Sequence, residues 1–298
     1  MPRPRLEIAG NRCFAMHGIT PPWHDHTRRP DHPMTQLANK TIWITGASSG
    51  IGEALAKLAA QRGAKLVLSS RRETELERVR QSCPRPHDVA VLPVDLAKLD
   101  DAQALAARAA SYFGPIDVLV NNAGISQRTA MLDTGMAAYR QLMEIDLFAP
   151  MALTKALAPG WVERGNGHVV VVSSVFGYIA MARRTGYAAA KHALHGFFDS
   201  ARIELGHRGV KFTLACPGFV RTNVSVNALG PGGLPYGKSD HDIDGGMDPL
   251  VCAEKIWRAV EADRYEVTIA GVERVAVLFK RFLPLRWYTA FARRLRVN

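Results

Sequence analysis

The sequence predicts a doubly wound α/β domain, a parallel sheet with helices on both faces, and three observations carry that expectation. An apolar run, Thr41-Ile42-Trp43-Ile44, passes through a glycine-rich turn, Thr45-Gly46-Ala47-Ser48-Ser49-Gly50-Ile51-Gly52, into a helix-like segment from Glu53 to Gln61. Short β-rich runs then alternate with charged, apolar or alanine-rich stretches as far as Ala270, which implies right-handed crossovers between parallel strands. The run His168-Val169-Val170-Val171-Val172 is continuous and β-branched, the pattern of a strand buried on both faces.

Each element follows in order. Lys65 to Ser70 is the second strand, and a charged helix runs from Arg71-Arg72 to Gln81. Val89 to Asp95 is the third strand and Asp100 to Phe113 the next helix, ended by Gly114-Pro115. Ile116 to Val120 is a buried strand that enters a tight turn at Asn121-Asn122-Ala123-Gly124. Met136 to Arg164 is long and largely apolar, and Pro150 and Pro159 are expected to interrupt or bend it, because proline has no N–H and crowds the carbonyl four residues back. After the strand at 168–172 come a helix from Gly186 to Arg208, a strand from Val210 to Cys216 that turns at Pro217-Gly218, a helix from Pro249 to Ala262 and a last strand from Tyr265 to Ala270.

With 298 residues, 47% of them hydrophobic, the chain can bury one sizeable core, assigned to residues 34–271. Residues 1–33 are rich in Pro, His and Arg without a sustained period and read as a disordered extension, Met34 being the alternative start. Cys13, Cys83, Cys216 and Cys252 are scattered, with no Cys-x-x-Cys pair and no metal-like His/Cys spacing. No disulfide framework and no metal site is therefore expected, and a reducing cytoplasm suits the chain. His24 and His26 beside prolines read as solvated. The net charge is +11, and residues 272–298 carry seven Lys/Arg against one acid, so the tail supplies over half of the excess. Nucleic acid is not an expected partner, for no recognisable module accompanies the charge. No uncharged apolar run approaches the roughly 18 residues of a membrane span, and no signal peptide is evident.

The chemistry is written in two places. A helix N-terminus carries unpaired N–H groups that attract a pyrophosphate, and glycines are needed where a side chain would hold phosphates away. Gly46, Ser48, Ser49, Gly50, Ile51 and Gly52 thus read as a dinucleotide site. Ser174 closes the most buried strand, and Tyr187 and Lys191 follow at i and i+4 of one helix, facing the strand's C-terminal edge, where open α/β sheets bind ligands. A phenol with an ordinary pKa near 10 is a poor acid–base, but a nearby ammonium favours the phenolate. Lys191 makes Tyr187 usable, and Ser174 can hydrogen-bond the substrate oxygen.

Four motifs in sequence, Thr45 to Gly52, Asn121 to Gly124, Ser174 with Tyr187 and Lys191, and Pro217-Gly218, give a chain that resembles the short-chain dehydrogenase/reductase family over roughly Asn39 to Ala270. Within it, Met143 to Phe148 and Gly186 to Leu194 are most similar to the membrane-associated, hydroxysteroid-dehydrogenase-like reductases. The resemblance implies a seven-stranded doubly wound sheet, Asp95 with Leu96 near the adenine, and Asn122, Ala123, Gly124, Pro217 and Gly218 around the cofactor. It implies Val220 and Thr222 at the nicotinamide carboxamide. It also implies a homo-oligomer and a small-molecule carbonyl or alcohol substrate. One residue departs from the pattern, since the family usually has asparagine, which holds a water linking the lysine to solvent, where Asp146 stands. An aspartate can accept from the same water, or pair with Lys191 and weaken its influence on Tyr187.

At the end of the second strand an acid would select NAD, whereas a basic residue would accept a 2′-phosphate. Ser70 stands there, followed by Arg71 and Arg72, whose planar forks suit phosphate, and the expected cofactor is NADP(H). The glycine-rich loop within Phe219 to Gly246 reads as a mobile lid, and Ile125, Phe176, Ile179 and Met181 as walls for a hydrophobic substrate. A second reading is a cofactor-binding regulatory or scaffold protein with little turnover, supported by Asp146 alone. Residues 272–298 mix apolar side chains with basic ones around Pro284. Two readings stay open there, two short amphipathic pieces lying on an anionic membrane surface, or packing on the domain or across a dimer.

Overall fold

The structure, a computed structural model, describes residues 35–238, 244–271, 273–282 and 284–294. The expectations for residues 1–33, for a start at Met34 and for the last four residues lie outside them. Seven strands form one sheet: β1 (Thr41–Thr45), β2 (Lys65–Ser69), β3 (Val89–Val91), β4 (Val118–Asn121), β5 (Gly167–Val172), β6 (Val210–Pro217) and β7 (Glu266–Ile269). Their order is β3-β2-β1-β4-β5-β6-β7, and every pairing is parallel. This is the doubly wound, Rossmann-like sheet that the alternation predicts. The order reverses between β1 and β4, which opens a crevice beyond their C-terminal ends.

Strand periodicity divides the core. Ile42 and Ile44 face one layer and Trp43 the other, as the two-residue repeat requires. The first layer holds α1 (Gly50–Gln61), α2 (Glu73–Gln81) and a later helix that we number α7 (Pro249–Glu261), packed through Leu55, Leu76, Val79, Ile256 and Trp257. The second holds α3 (Ala102–Phe113), α5 (Ala149–Arg164) and α6 (Thr185–Leu205), through Leu105, Leu153, Trp161, Leu194 and Phe198. The buried indoles keep their N–H groups satisfied: Trp43 donates to Ser69 Oγ at 2.9 Å, Trp161 to the Ile116 carbonyl at 2.7 Å and Trp257 to the Leu55 carbonyl at 3.0 Å.

Two elements differ from expectation. β3 ends at Val91, four residues before Asp95, because Pro93 supplies no donor to the ladder; Leu92 and Val94 still donate to Leu68 and Ser70. The segment from 136 to 164 breaks at neither proline. α4 (Met136–Met143) passes through a π-type turn at Glu144–Phe148 into α5, where Pro150 falls in the first turn and Pro159 lies inside the helix. Pro150 directly follows the wide turn, whose altered winding accommodates its missing N–H.

The tail forms α8 (Glu273–Phe282) and α9 (Leu285–Arg294), parted at Pro284 as the sequence suggests. Polar contacts hold the pair to the domain. Glu273 accepts from the Gly271 and Phe219 N–H groups at 2.8 and 2.9 Å, and the Tyr288 hydroxyl donates to the Ala180 carbonyl at 2.7 Å. Lys280 Nζ lies 3.2 Å from His192 Nε2. Val275, Leu278, Phe282, Leu285 and Trp287 nevertheless stay exposed, Trp287 at 61%. Among the described residues no helix is long and apolar enough to cross a membrane.

Candidate active site

The glycine turn after β1 owes its form to three different constraints. Gly46 and Gly50 have φ of +66° and +59°, where a side chain is strained, and a Cβ on Gly46 would lie 2.7 Å from Ala123 Cα. A Cβ on Gly52 would lie 2.2 Å from the Gly46 carbonyl oxygen and 2.5 Å from Asn122 Nδ2. Gly52 is not part of the cleft wall; it lets α1 sit against the turn, whereas Gly46, Ser48, Ser49, Gly50 and Ile51 line the cleft. Ser49 occupies the N-cap position of α1 without capping it by its side chain, so the first-turn N–H groups face an anion site without an internal acceptor from that residue.

Arg78 braces the turn from outside. It donates to the Ser48 carbonyl at 3.3 Å and to both Glu53 oxygens at 3.0 and 2.8 Å. Those bonds, against some desolvation and with help from Lys57, pull the Glu53 carboxyl down to about 2. On the same wall Arg72 Nη2 reaches Ser48 Oγ at 3.2 Å and Ser49 Oγ at 3.4 Å. Arg71, Ser70, Asp95 and Leu96 line the cleft beside it. Asp95 accepts from the Ala97 N–H at 3.1 Å. Asn122, Ala123 and Gly124 form the floor, with Asn122 Nδ2 donating to the Thr45 and Gly46 carbonyls at 3.0 and 3.2 Å. Pro217, Gly218, Val220 and Thr222 close the other side. The uncapped helix start and the two arginines at the end of β2 fit the phosphates of a dinucleotide.

Ser174, Tyr187, Lys191 and Asp146 share the same cleft. Ser174 Oγ donates to the Pro217 carbonyl at 3.3 Å and accepts from the Phe176 N–H at 3.2 Å. Tyr187 is half-buried, its ring edge-on to Phe176 with centres 5.7 Å apart. Lys191 Nζ lies 5.5 Å from the centre of the Tyr187 ring, donates to the Val172 carbonyl at 3.3 Å and faces Asp146 Oδ2 at 3.2 Å. The other Asp146 oxygen accepts from the Ile125 N–H at 2.8 Å. Asp146 thus pairs with Lys191. Burial raises the Asp146 carboxyl, with Lys191 and the Ile125 N–H pulling it back. Burial opposes the Lys191 ammonium, yet Asp146 and Tyr187 hold it above its ordinary value.

Lys191 favours the phenolate as expected, but in the protein without cofactor it is not the largest influence on Tyr187. Burial pushes the Tyr187 phenol up; Lys191 pulls it down, but Asp146 raises it again. The net direction is upward, because burial outweighs the lysine's charge, which is also partly answered by its carboxylate partner.

Sequence reasoning missed the residue that sets the start of α6. Gln127, fully buried, accepts from the Gly186 N–H at 2.7 Å and donates to Thr134 and Thr185, while Arg184 donates to its backbone carbonyl at 2.6 Å. It fixes the turn immediately before Tyr187. A lone glutamine 58 residues upstream of Thr185 offers no pattern by which to find it.

At the substrate end the predicted apolar wall is half right. Ile125 and Phe176 line the cleft, whereas Ile179 is buried away from it and Met181 is not on its surface. Ser126, Arg128, Arg184, Asn223 and Asn227 stand there instead, beside Phe219 and Val224. Arg128 is buried and donates to Ser126, to the Gln127 carbonyl and to Ser225. The loop expected to be a lid is tied to this wall through Arg128 N–H to the Leu229 carbonyl and Leu229 N–H to the Ser126 carbonyl, both 2.8 Å; residues 239–243 of it lie outside the described ones.

Comparison with known proteins agrees with this geometry. Residues 40–229 match the family model for short chain dehydrogenase. A dehydrogenase/reductase SDR family protein 7-like from Drosophila melanogaster is 36% identical over 265 residues, covering 87% of this chain and 81% of the fly protein. A short-chain dehydrogenase/reductase from Burkholderia phymatum, solved in complex with NAD, superposes with a TM-score of 0.75 at 23% identity, over 89% of this chain and 98% of that one. A metagenomic short-chain oxidoreductase in complex with NADP gives 0.65 at 26% identity, over 79% and 98%.

Proposed function

The chain belongs to the short-chain dehydrogenase family of oxidoreductases, and from that premise we propose that it interconverts a carbonyl and an alcohol on a hydrophobic small molecule with NADP(H), Tyr187 acting as general acid/base. The observation that carries the reading is the convergence of Ser174, Tyr187 and Lys191 on one cleft with the glycine turn at its other end. Relatives of this fold are solved with NAD and with NADP, so family alone leaves the cofactor open. Ser70 in place of an acid, with Arg71 and Arg72 on the cleft wall, supports the phosphorylated form.

When bound, the dinucleotide supplies or takes the hydride at the substrate carbon. The protein's own residues do the rest. The turn from Gly46 to Ile51 holds the pyrophosphate, Arg71 and Arg72 the 2′-phosphate, and Val220 and Thr222 the carboxamide. Ser174 donates a hydrogen bond to the carbonyl oxygen and orients it towards Tyr187. The protonated phenol then gives its proton to that oxygen as negative charge develops there. Lys191 stabilises the phenolate that remains, and its carboxylate partner Asp146 sets how strongly. Ile125, Phe176 and Phe219 exclude water, while Asn223 and Asn227 provide donors for a polar group on an otherwise apolar substrate.

The purified protein should oxidise NADPH with some members of a panel of hydrophobic ketones and aldehydes. Tight NADPH binding without turnover across the panel, and without alcohol oxidation in reverse, would favour the scaffold reading. For the tail we propose a peripheral contact with an anionic membrane surface, on the strength of exposed Phe282, Leu285 and Trp287 beside Lys280, Arg281 and Arg286. A homo-oligomer is proposed from the family resemblance.

A further inference from the structure

Behind the cleft, three elements bring together donors that are far apart in sequence: His195 from α6, Cys216 from β6 and Glu266 from β7, with ligand atoms all within 4.8 Å of one another. None of the three lines the cleft. We propose that His195, Cys216 and Glu266 form a binding site for a divalent cation of the zinc class.

The geometry suits such an ion. Metal–sulfur and metal–nitrogen bonds of about 2.3 and 2.05 Å at a tetrahedral angle put the two donors about 3.6 Å apart, and Cys216 Sγ lies 3.6 Å from His195 Nε2. His195 Nδ1 lies 3.5 Å from Glu266 Oε2. A Glu266 carboxylate oxygen is the third donor, within 4.8 Å of the other two ligand atoms. The fourth position falls to a water or to the Ser173 hydroxyl, whose oxygen lies 3.1 Å from Nε2. A sulfur, a nitrogen and an oxygen donor select zinc-like ions over calcium or magnesium.

Access and packing agree. Cys216 is closed off and the His195 side chain is 13% exposed, but Glu266 is 43% exposed and offers the way in. The Tyr178 hydroxyl lies 3.2 Å from Cys216 Sγ, and its ring meets His195 edge-on at 4.7 Å, so both donors are held in place. Binding replaces the thiol proton, which leaves to solvent as the metal–sulfur bond forms. Cys216 directly precedes Pro217, whose carbonyl Ser174 holds, and Ser173 directly precedes Ser174. An ion at this site thus bears on the cleft from behind.

Cobalt titration of the full chain, with zinc as competitor, tests the site. We expect one ion per chain, a thiolate-to-cobalt charge-transfer band and displacement by zinc. The band should vanish in Cys216→Ala and binding should weaken at least tenfold in Glu266→Gln, a surface change that keeps the fold testable. A variant lacking Cys13, Cys83 and Cys252 should keep the band. Absence of the band in the wild-type chain, its survival in Cys216→Ala, or its loss with the other three cysteines would leave the cluster as hydrogen-bonded packing only.

Discussion

Lys191 and Asp146 face each other at 3.2 Å with their side chains 5% and 0% exposed. A carboxylate this close answers part of the ammonium charge that would otherwise act on Tyr187. As pH falls through the raised Asp146 pKa, the acid takes a proton and the lysine acts on the phenol undiminished. Asp146→Asn should therefore preserve or raise turnover and remove that ionisation from the pH profile of kcat. A folded but inactive variant would assign the carboxylate a role of its own.

Tyr187→Phe removes the proton donor and leaves the ring against Phe176 in place. Turnover should fall by at least a thousandfold while NADPH binding, followed by fluorescence, changes little. Lys191→Ala should lower both, since it also strands Asp146 in the interior, where breaking a buried pair costs about 3–5 kcal/mol. A Tyr187→Phe enzyme within tenfold of wild type would remove the mechanism.

Replacing Arg71 and Arg72 together by glutamine should weaken NADPH by roughly 2–4 kcal/mol, the loss of charge-assisted hydrogen bonds. NADH should be nearly unaffected. Equal losses for both cofactors, measured by calorimetry, would mean that Arg72 serves only Ser48 and Ser49.

His168 gives a stability prediction. It is buried between Thr35 and Thr213, and burial, with Lys211 second, pushes its pKa down from 6.5 to about 3. The unfolded chain takes up the proton below pH 6.5 while the folded one does not, so stability falls as pH drops from about 6.5 towards 3. The slope is about 1.4 kcal/mol per pH unit from this group. His168→Gln should flatten that part of the curve in urea titrations at successive pH values.

Phe282→Asp with Leu285→Asp tests the tail without removing Glu273 or Tyr288, which hold it to the domain. On the membrane reading, sedimentation with anionic vesicles should fall at least tenfold, and the wild-type binding should weaken with salt. Unchanged sedimentation with a smaller mass by light scattering would assign the same side chains to a subunit interface.

What the sequence made legible was local. The glycine turn, the strand that leads to Ser174 and the Tyr187–Lys191 spacing each lie within one stretch of chain, so their geometry follows from helix and strand periods. Gly52 was legible as necessary but for another reason, since its close approach to Asn122 depends on β4 lying next to β1. Gln127, the Arg128–Ser225 bond and the His195, Cys216 and Glu266 cluster were hidden because sheet order alone brings their elements together. Ile179 and Met181 were misplaced for a related reason: an apolar residue near a site has two directions to face, and composition does not choose between them.

The wide turn at Glu144–Phe148 has a meaning in terms of helical phase. One residue more per turn offsets the helix before it by about 100° from the one after it. α4 can thus present Ala138 and Leu142 to Tyr187, Ile125 and Leu229, while α5 presents Leu153 and Trp161 to the sheet. A straight helix of the same composition could satisfy one of these faces but not both. Deleting a single residue between Glu144 and Phe148 would restore regular winding and swing either Asp146 or Leu142 off its partner. The charge pair behind Tyr187 thus depends on a count of residues as much as on their identity.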